Sequence, residues 1–278
     1  MTADVLLLVL ISIGLIGSAD FFGGIASKRS SPFAVAAWSQ WVGLPVIALV
    51  AVFVGGELIA RDAALGIAAG VGSGFGVIML YRGFSVGSVG IVAPAAATFA
   101  AILPIVIGLV IGERPSTLVA IGLVGGLLSV VLVGYIPGAA SFSLTSVIHG
   151  LLSGVGFAGM VVAYSATSEA SGLTPAVTGR LAASVLATVV MVAVGHTRQI
   201  TRSSWVPTIL AGALAGVGMG AYITASQQGE LIIVGVAIAL FPAVTVVLAA
   251  IFLRERLAVS QWLGIAMAVA AVALIAIG

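Results

Sequence analysis

Long apolar stretches alternate with short polar breaks along this chain. The breaks fall at Lys28-Arg29, Glu57 to Asp62, Arg82 to Gly87, Glu113 to Pro115, Pro137 to Leu144, Thr167 to Gly172, His196 to Ser204, Gln227 to Glu230 and Arg254 to Arg256. They leave ten apolar stretches, at 4–26, 33–54, 63–81, 88–111, 116–136, 147–166, 175–195, 205–226, 231–253 and 258–277. Each approaches the roughly 20 residues that an α-helix needs to cross a bilayer. None shows the strict alternation of a membrane β-barrel strand, so the pattern predicts helices. The first stretch has no Lys or Arg ahead of it, so it is read as a span rather than as a cleaved leader. Every connection is too short to hold a soluble domain.

Composition sharpens this into a class. The 278 residues are 62% hydrophobic and 6% charged, with a mean hydropathy of +1.34. A soluble domain carries about 25% charged residues, so most of this surface must face lipid. The reading is an all-α polytopic membrane protein. A net charge of +2 spread over so few charged side chains says little about partners. No basic stripe with interleaved aromatics suggests nucleic acid. There are no cysteines, which excludes disulfides, thiolate metal sites and a cysteine nucleophile. No metal or cofactor is predicted, and no nucleotide-binding loop is present. Oligomeric state leaves no mark in the sequence.

An internal repeat organises the spans. IGERPSTLVAIG (111–122) aligns with LRERLAVSQWLG (253–264), placing Glu113-Arg114 on Glu255-Arg256 and Gly122 on Gly264, an offset of 142 residues. The same register carries Phe99 onto Phe241, and Gly70, Gly74 and Gly76 onto Gly212, Gly216 and Gly218. It covers spans 3–5 and 8–10 without a gap. Spans 1–2 match spans 6–7 more weakly, as with Gly17 on Gly156 and Ser31-Pro32 on Thr174-Pro175. The predicted organisation is a first five-span repeat at 1–136, a connecting loop at 137–145 and a second repeat at 146–278. Five is odd, so the second half enters the membrane upside down. The fold predicted is therefore ten transmembrane helices as two inverted five-helix repeats, an arrangement that suits alternating access to a substrate held between the halves. A duplicated membrane scaffold is the alternative. Gly66, Gly70 and Gly74 in span 3, and Gly212, Gly216 and Gly220 in span 8, are spaced four apart and predict close helix packing.

The two Glu-bearing spans, IVAPAAATFAAILPIVIGLVIGERP and VGVAIALFPAVTVVLAAIFLRERL, each followed by a Gly-bearing span, resemble the EamA-type branch of the drug/metabolite transporter superfamily. The resemblance covers nearly the whole chain. It implies export or exchange of amino acids, other metabolites or drugs through a central cavity. Leu257 departs from it, standing where the first repeat has Pro115.

Candidate chemistry lies in the few polar residues inside the spans. Asp20 sits in GSADFFGG (17–24). The uncharged run before it is too short to cross alone, so Asp20 lies roughly 7 Å past the middle of its span at 1.5 Å per residue. An acid there is functional by default: it can exchange a proton for a substrate. Gly17, Gly23, Gly24 and Ser27 share its helical face. Asp20, Gly23 and Lys28 also resemble the first helix of the four-span multidrug exporters in the same superfamily, where the acid carries proton and cationic drug. The competing reading pairs Asp20 with Lys28 or Arg29 near the headgroups, or makes it the cap of a helix break. Its repeat counterpart is Gly159, so only one half carries the acid.

Arg180 is the other deep charge. It contacts substrate, neutralises Asp20, or snorkels toward its loop beside Glu169, and the last is favoured. Trp38, Gln40 and Trp41, Tyr81, Tyr164 and Tyr222 are candidate cavity liners, although most Trp and Tyr near span ends are interface anchors. Thr98-Phe99 and Phe241-Pro242 hold nearly equivalent places in spans 4 and 9, where Pro94, Pro104 and Pro242 predict kinks that suit a gate, and Thr98, Phe99 and Phe241 are substrate-binding candidates there. Glu113-Arg114 and Glu255-Arg256 are assigned to fixing the turns that follow those spans.

The loops after odd-numbered spans carry seven basic residues against two on the other side. The positive-inside rule therefore puts the termini outside, while the family resemblance implies both in the cytoplasm. The function predicted is secondary-active transport of a small molecule in the cell membrane, with protons as a candidate coupling ion. A lipid-facing flippase or a non-transporting scaffold is the alternative. A lipid-acting enzyme would need clustered His, Asp or Glu, and His149 and His196 lie far apart.

Overall fold

The computed structural model describes residues 2–87, 89–135, 144–195, 200–254 and 257–277. Within them run α1 (Ala3–Arg29), α2 (Pro32–Val54), α3 (Ala60–Val86), α4 (Val89–Ile111), α5 (Thr117–Gly134), α6 (Leu144–Ser165), α7 (Thr174–Ala193), α8 (Trp205–Gln228), α9 (Leu231–Ile238), α10 (Phe241–Phe252) and α11 (Val259–Ile277). Among the described residues nine stretches are long and apolar enough to cross a membrane, counting Leu231–Phe252 as one, and Thr117–Val133 is a shorter apolar helix. All ten predicted spans are present as helix. Span 3 runs beyond its expected 63–81 because Asp62 and Arg82 lie within the helix instead of ending it.

Local chemistry sets the ends. Thr2 caps α1 by accepting from Val5 N at 3.4 Å, and Lys28 and Arg29 occupy its last turn, where cations favour the helix dipole. Pro32 and Pro175 open α2 and α7, where a missing N–H costs nothing. Ser116 caps α5 through Val119 N at 3.2 Å.

The helices pair in a recurring pattern. The helix α3 packs on α6 and α7, and α8 packs on α1 and α2. Likewise α4 packs on α6, α10 packs on α1, α2 meets α7, and α5 meets α11. Exchanging each span for its repeat counterpart leaves this pairing unchanged, as expected for a duplicated five-helix unit. Small residues make the contacts close. A Cβ on Gly70 would overlap the carbonyl of Gly179, and one on Gly66 would overlap Pro175 and Thr178. Gly74 lies against Ala183 of α7. On the other half, Gly212 lies over the Ser39 carbonyl and Gly216 over that of Gly43, while Gly220 faces Ile47 and Leu173. In lipid, where no hydrophobic force joins helices, such backbone approach supplies van der Waals contact.

One end of the bundle is tied by polar side chains. Asp62 at the start of α3 accepts from Ser168 N at 2.9 Å and from Ser168 Oγ at 2.6 Å. Gln227 at the end of α8 donates through Nε2 to Thr167 Oγ1 and to the carbonyls of Ser168 and Gly172, each at 3.1 Å. The α2–α3 and α6–α7 loops cross there backbone to backbone. Gly56 and Gly172 have φ of +133° and +51°, and a Cβ on either would overlap the opposite loop.

Candidate functional site

A cavity of about 80 Å³ lies where both halves meet. That is room for several waters, since one needs about 10–15 Å³ on the same measure. Its walls come from α1–α4 and α6–α10 and are mostly apolar. The polar exceptions are Asp20 from α1, Ser39 and Gln40 from α2, Ser73 and Tyr81 from α3, and Arg180 from α7.

Local sequence positions each of these. Gly17 lets α1 touch α10, where Thr245 Oγ1 donates to Gly17 O at 2.9 Å. Gly23 makes room for Tyr81, whose hydroxyl a Cβ there would overlap, and Gly24 lies against Phe84. With these small neighbours on its face, Asp20 reaches the cavity wall and is only 7% exposed. No hydrogen bond or ion pair to Asp20 is present among the described residues. Lys28 and Arg29 are exposed, so the headgroup pairing is not formed.

Arg180 does not snorkel. It is 8% exposed, and its Nη2 donates to Gly212 O at 3.1 Å. The guanidinium lies flat over Gly43, where any Cβ would overlap it. Its Nε is buried with no partner, as is the Oε1 of Gln40. The cause is local: the bare Gly43 leaves room for the guanidinium on α2, and the Gly212 carbonyl on α8 accepts from it. Arg180 and Ser73 also border a smaller void of about 10 Å³ shared with Tyr164.

The other candidates divide. Gln40, Tyr81 and Phe241 line the cavity. Tyr222 is buried but outside that lining, stacking edge-on against Tyr164 at 6.4 Å. Trp38 is 40% exposed and stacks edge-on against Trp205 at 5.3 Å. Trp41 is similarly exposed, and its Nε1 donates to Thr188 Oγ1 at 2.8 Å. These two tryptophans are peripheral. Thr98 Oγ1 turns back to Pro94 O at 2.9 Å, and Phe99 lies against Gly154, so neither reaches the lining. Sequence reasoning passed over Ser39, Ser73, Phe157, Met160 and Met219, which do. Small hydroxyls and methionines in apolar helices carry no pattern that marks a cavity.

The predicted kinks fall unevenly. Pro94 and Pro104 sit within a continuous α4, whereas span 9 breaks at Ala239-Leu240 and resumes at α10 with Pro242 in its first turn. The break is bridged by tighter bonds, Ala239 N to Val236 O and Leu240 N to Ala237 O, both at 3.1 Å. Ala239 and Phe241 line the cavity at this point.

Arg114 closes its own turn, with Nη1 donating to Leu109 O and Glu113 O at 2.8 and 2.9 Å. Glu113 does something else. Its Oε1 and Oε2 accept from Leu231 N and Ile232 N at 2.7 and 2.9 Å. It therefore caps the N-terminus of α9, in the other half. Glu230, in the N-cap position, makes no side-chain cap, which leaves those amides to Glu113. Glu255 and Arg256 lie outside the described residues.

Ten apolar helical spans around a central, partly polar cavity define a multi-pass membrane protein. The sequence pattern of the EamA-like transporter family matches residues 144–277, which run from α6 to α11. Residues 144–277 thus belong to the EamA-like transporter family, as the resemblance of the Glu-bearing spans implies. A solved structure described only as "Crystal structure of protein" is similar across 99% of this chain and 96% of its own, with a TM-score of 0.80 and 14% identity. That likeness concerns the fold alone. No curated protein matches the chain.

Proposed function

We propose that this chain is a secondary-active exporter or exchanger in the cell membrane, moving small metabolites, amino acids or drug-like molecules by alternating access. The two repeats, 1–136 and 146–278, rock about the central cavity, and Asp20 binds the proton or the substrate. The observation that carries this reading is an unpaired intramembrane carboxylate on the wall of a cavity built from both halves. An acid placed there without a partner costs at least a few kcal/mol. A site that must release and rebind a proton or cation gives that cost a purpose.

The test is transport by purified protein in proteoliposomes, over a panel of solutes, with and without a pH gradient, comparing wild type with Asp20→Asn. Wild type should accumulate or exchange a solute, and Asp20→Asn should lose most of that flux while remaining monodisperse. Undiminished proton-driven transport in the variant would remove Asp20 from coupling. Lipid movement without solute flux would replace the reading with a flippase, and neither activity would leave a scaffold.

A further inference from the structure

We infer that one end of the bundle is a docking face for anionic phospholipid headgroups and is the cytoplasmic end, so that both termini and the opposite, acidic end lie outside. This goes beyond the transporter reading and does not rest on it.

The fold sorts the charges by sign. The helices alternate in direction, so the ends of α1, α3, α7 and α10 share one face with the starts of α2, α8 and α11. Thr201 N donates to Ser30 Oγ at 2.9 Å, tying the loop before α8 to the loop after α1. Arg82 near the end of α3 lies 5.7 Å over the Phe33 ring at the start of α2. This face exposes Lys28, Arg29, Arg82, Arg202 and Arg254. None of the five forms an ion pair among the described residues. By sequence its loops hold seven basic residues and one acid, Glu255.

The opposite end reverses this. It has six acids, Asp4, Glu57, Asp62, Glu113, Glu169 and Glu230, against Arg61 and Arg114. Both of these bases are engaged by the protein itself. Arg61 pairs with Asp62 at 3.6 Å, and Arg114 Nη1 is turned back on the carbonyls of Leu109 and Glu113. Asp4, Glu57, Glu169 and Glu230 are exposed. Basic side chains open to headgroups therefore collect at one end, a sharper contrast than seven against two.

The tryptophans mark the same end. Trp205 is the first residue of α8 and stacks against Trp38, in the second turn of α2, at 5.3 Å. Trp262 lies exposed in the first turn of α11. Such rings settle at the headgroup level, which holds the neighbouring bases against the phosphates. The anionic lipids of the cytoplasmic leaflet attract Lys and Arg held near the surface. Termini in the cytoplasm would instead press the acidic end against that leaflet. The end tied by Asp62, Gln227 and Glu113 is accordingly the outer one.

Two measurements on the full chain test this. The chain has no cysteine, so single cysteines report sidedness without background. Leu58→Cys and Thr117→Cys stand exposed at the acidic end, and Ser203→Cys and Val259→Cys at the basic end; none removes a charge. In intact cells a membrane-impermeant maleimide should label the first pair, and the second pair only after lysis. The reverse pattern, or labelling of both ends in intact cells, overturns the inference. The second measurement uses the tryptophans as reporters in purified protein. Brominated phosphatidylglycerol should quench them with about fivefold higher affinity than brominated phosphatidylcholine, the factor for one base near the surface. High salt should shrink that preference, as should the triple variant Arg82→Gln, Arg202→Gln, Arg254→Gln, whereas Glu57→Gln with Glu169→Gln should keep it. Equal quenching of the wild type by the two lipids overturns the docking face, and that comparison stands even where a variant fails to fold.

Discussion

Spans 4 and 9 align in the 142-residue register of the sequence, yet one is whole and the other is broken. The helix α4 runs unbroken from Val89 to Ile111 and exposes Val106, Val110 and Ile111 on its outer side. Span 9 is cut at Ala239-Leu240, and every residue of α9 is buried. The break in span 9 sits where a freed backbone group can be met. A break frees N–H and C=O groups, which lipid cannot satisfy, so broken helices survive in a membrane only inside protein or beside a cavity. Span 9 has both, being enclosed by α1, α4, α5, α6 and α8 and bordering the cavity. Proline placement matches. Pro242 falls in the first turn of α10, where its missing N–H is harmless. Its register counterpart in span 4 is Ala100, within a continuous helix.

The hardest test of this contrast moves the break. Ala100→Pro should remove a hydrogen bond from the middle of α4 and cost about 3 kcal/mol or more. The expected outcome is loss of monodisperse protein on size exclusion. A variant that folds normally would show that span 4 tolerates the break as span 9 does.

The next test asks whether the halves are equivalent at their close contacts. Gly70→Leu and Gly212→Leu stand at register-equivalent sites, and each meets a backbone carbonyl of a neighbouring helix. Both should destabilise by about 1–3 kcal/mol, seen as a fall in thermal midpoint in detergent. Gly159→Ala, with no neighbour within 4 Å of the added carbon, should be neutral or slightly stabilising, by at most about 1 kcal/mol. Unequal effects of the two leucines would place the tighter contact in one half.

Smaller again is the loss of the cross-repeat cap. Glu113→Ala strips two acceptors from the start of α9 and should cost about 1–2 kcal/mol. The amides of Leu231 and Ile232 should then exchange hydrogen faster, and unchanged protection would mean that another group caps α9. Least of all, Pro242→Ala should shift stability by less than about 1 kcal/mol, because the break is set by burial and the cavity rather than by the proline alone. A marked gain in helicity across 239–242 would assign the break to the ring.

Hydrophobicity and length were enough to place the spans, because the bilayer sets the length and forces every backbone bond inside the helix. The paired Glu-Arg turns and a single ungapped register pointed to a duplication, and the helix pairing is consistent with it. Asp20 was legible as an anomaly because charge is so scarce in this chain. Gln40, Tyr81 and Phe241 were named among the candidate site residues, but so were Trp38, Thr98 and Phe99, which the structure keeps from the lining. Spacing along one helix gives a face but not the neighbour that the face meets.

What the sequence determined by itself was therefore what depends on one helix and its solvent: ten apolar spans and an acid set within one of them. What only the tertiary structure decided depends on two helices at once. Arg180 turned inward because Gly43 on one helix leaves it room and the Gly212 carbonyl on another accepts its N–H. Glu113 found its partners in α9, more than a hundred residues away. Span 9 broke at Ala239-Leu240, where protein neighbours rather than lipid meet the backbone. Side-chain partners across helices are set by packing geometry, and a linear pattern carries that only where a repeat happens to record it.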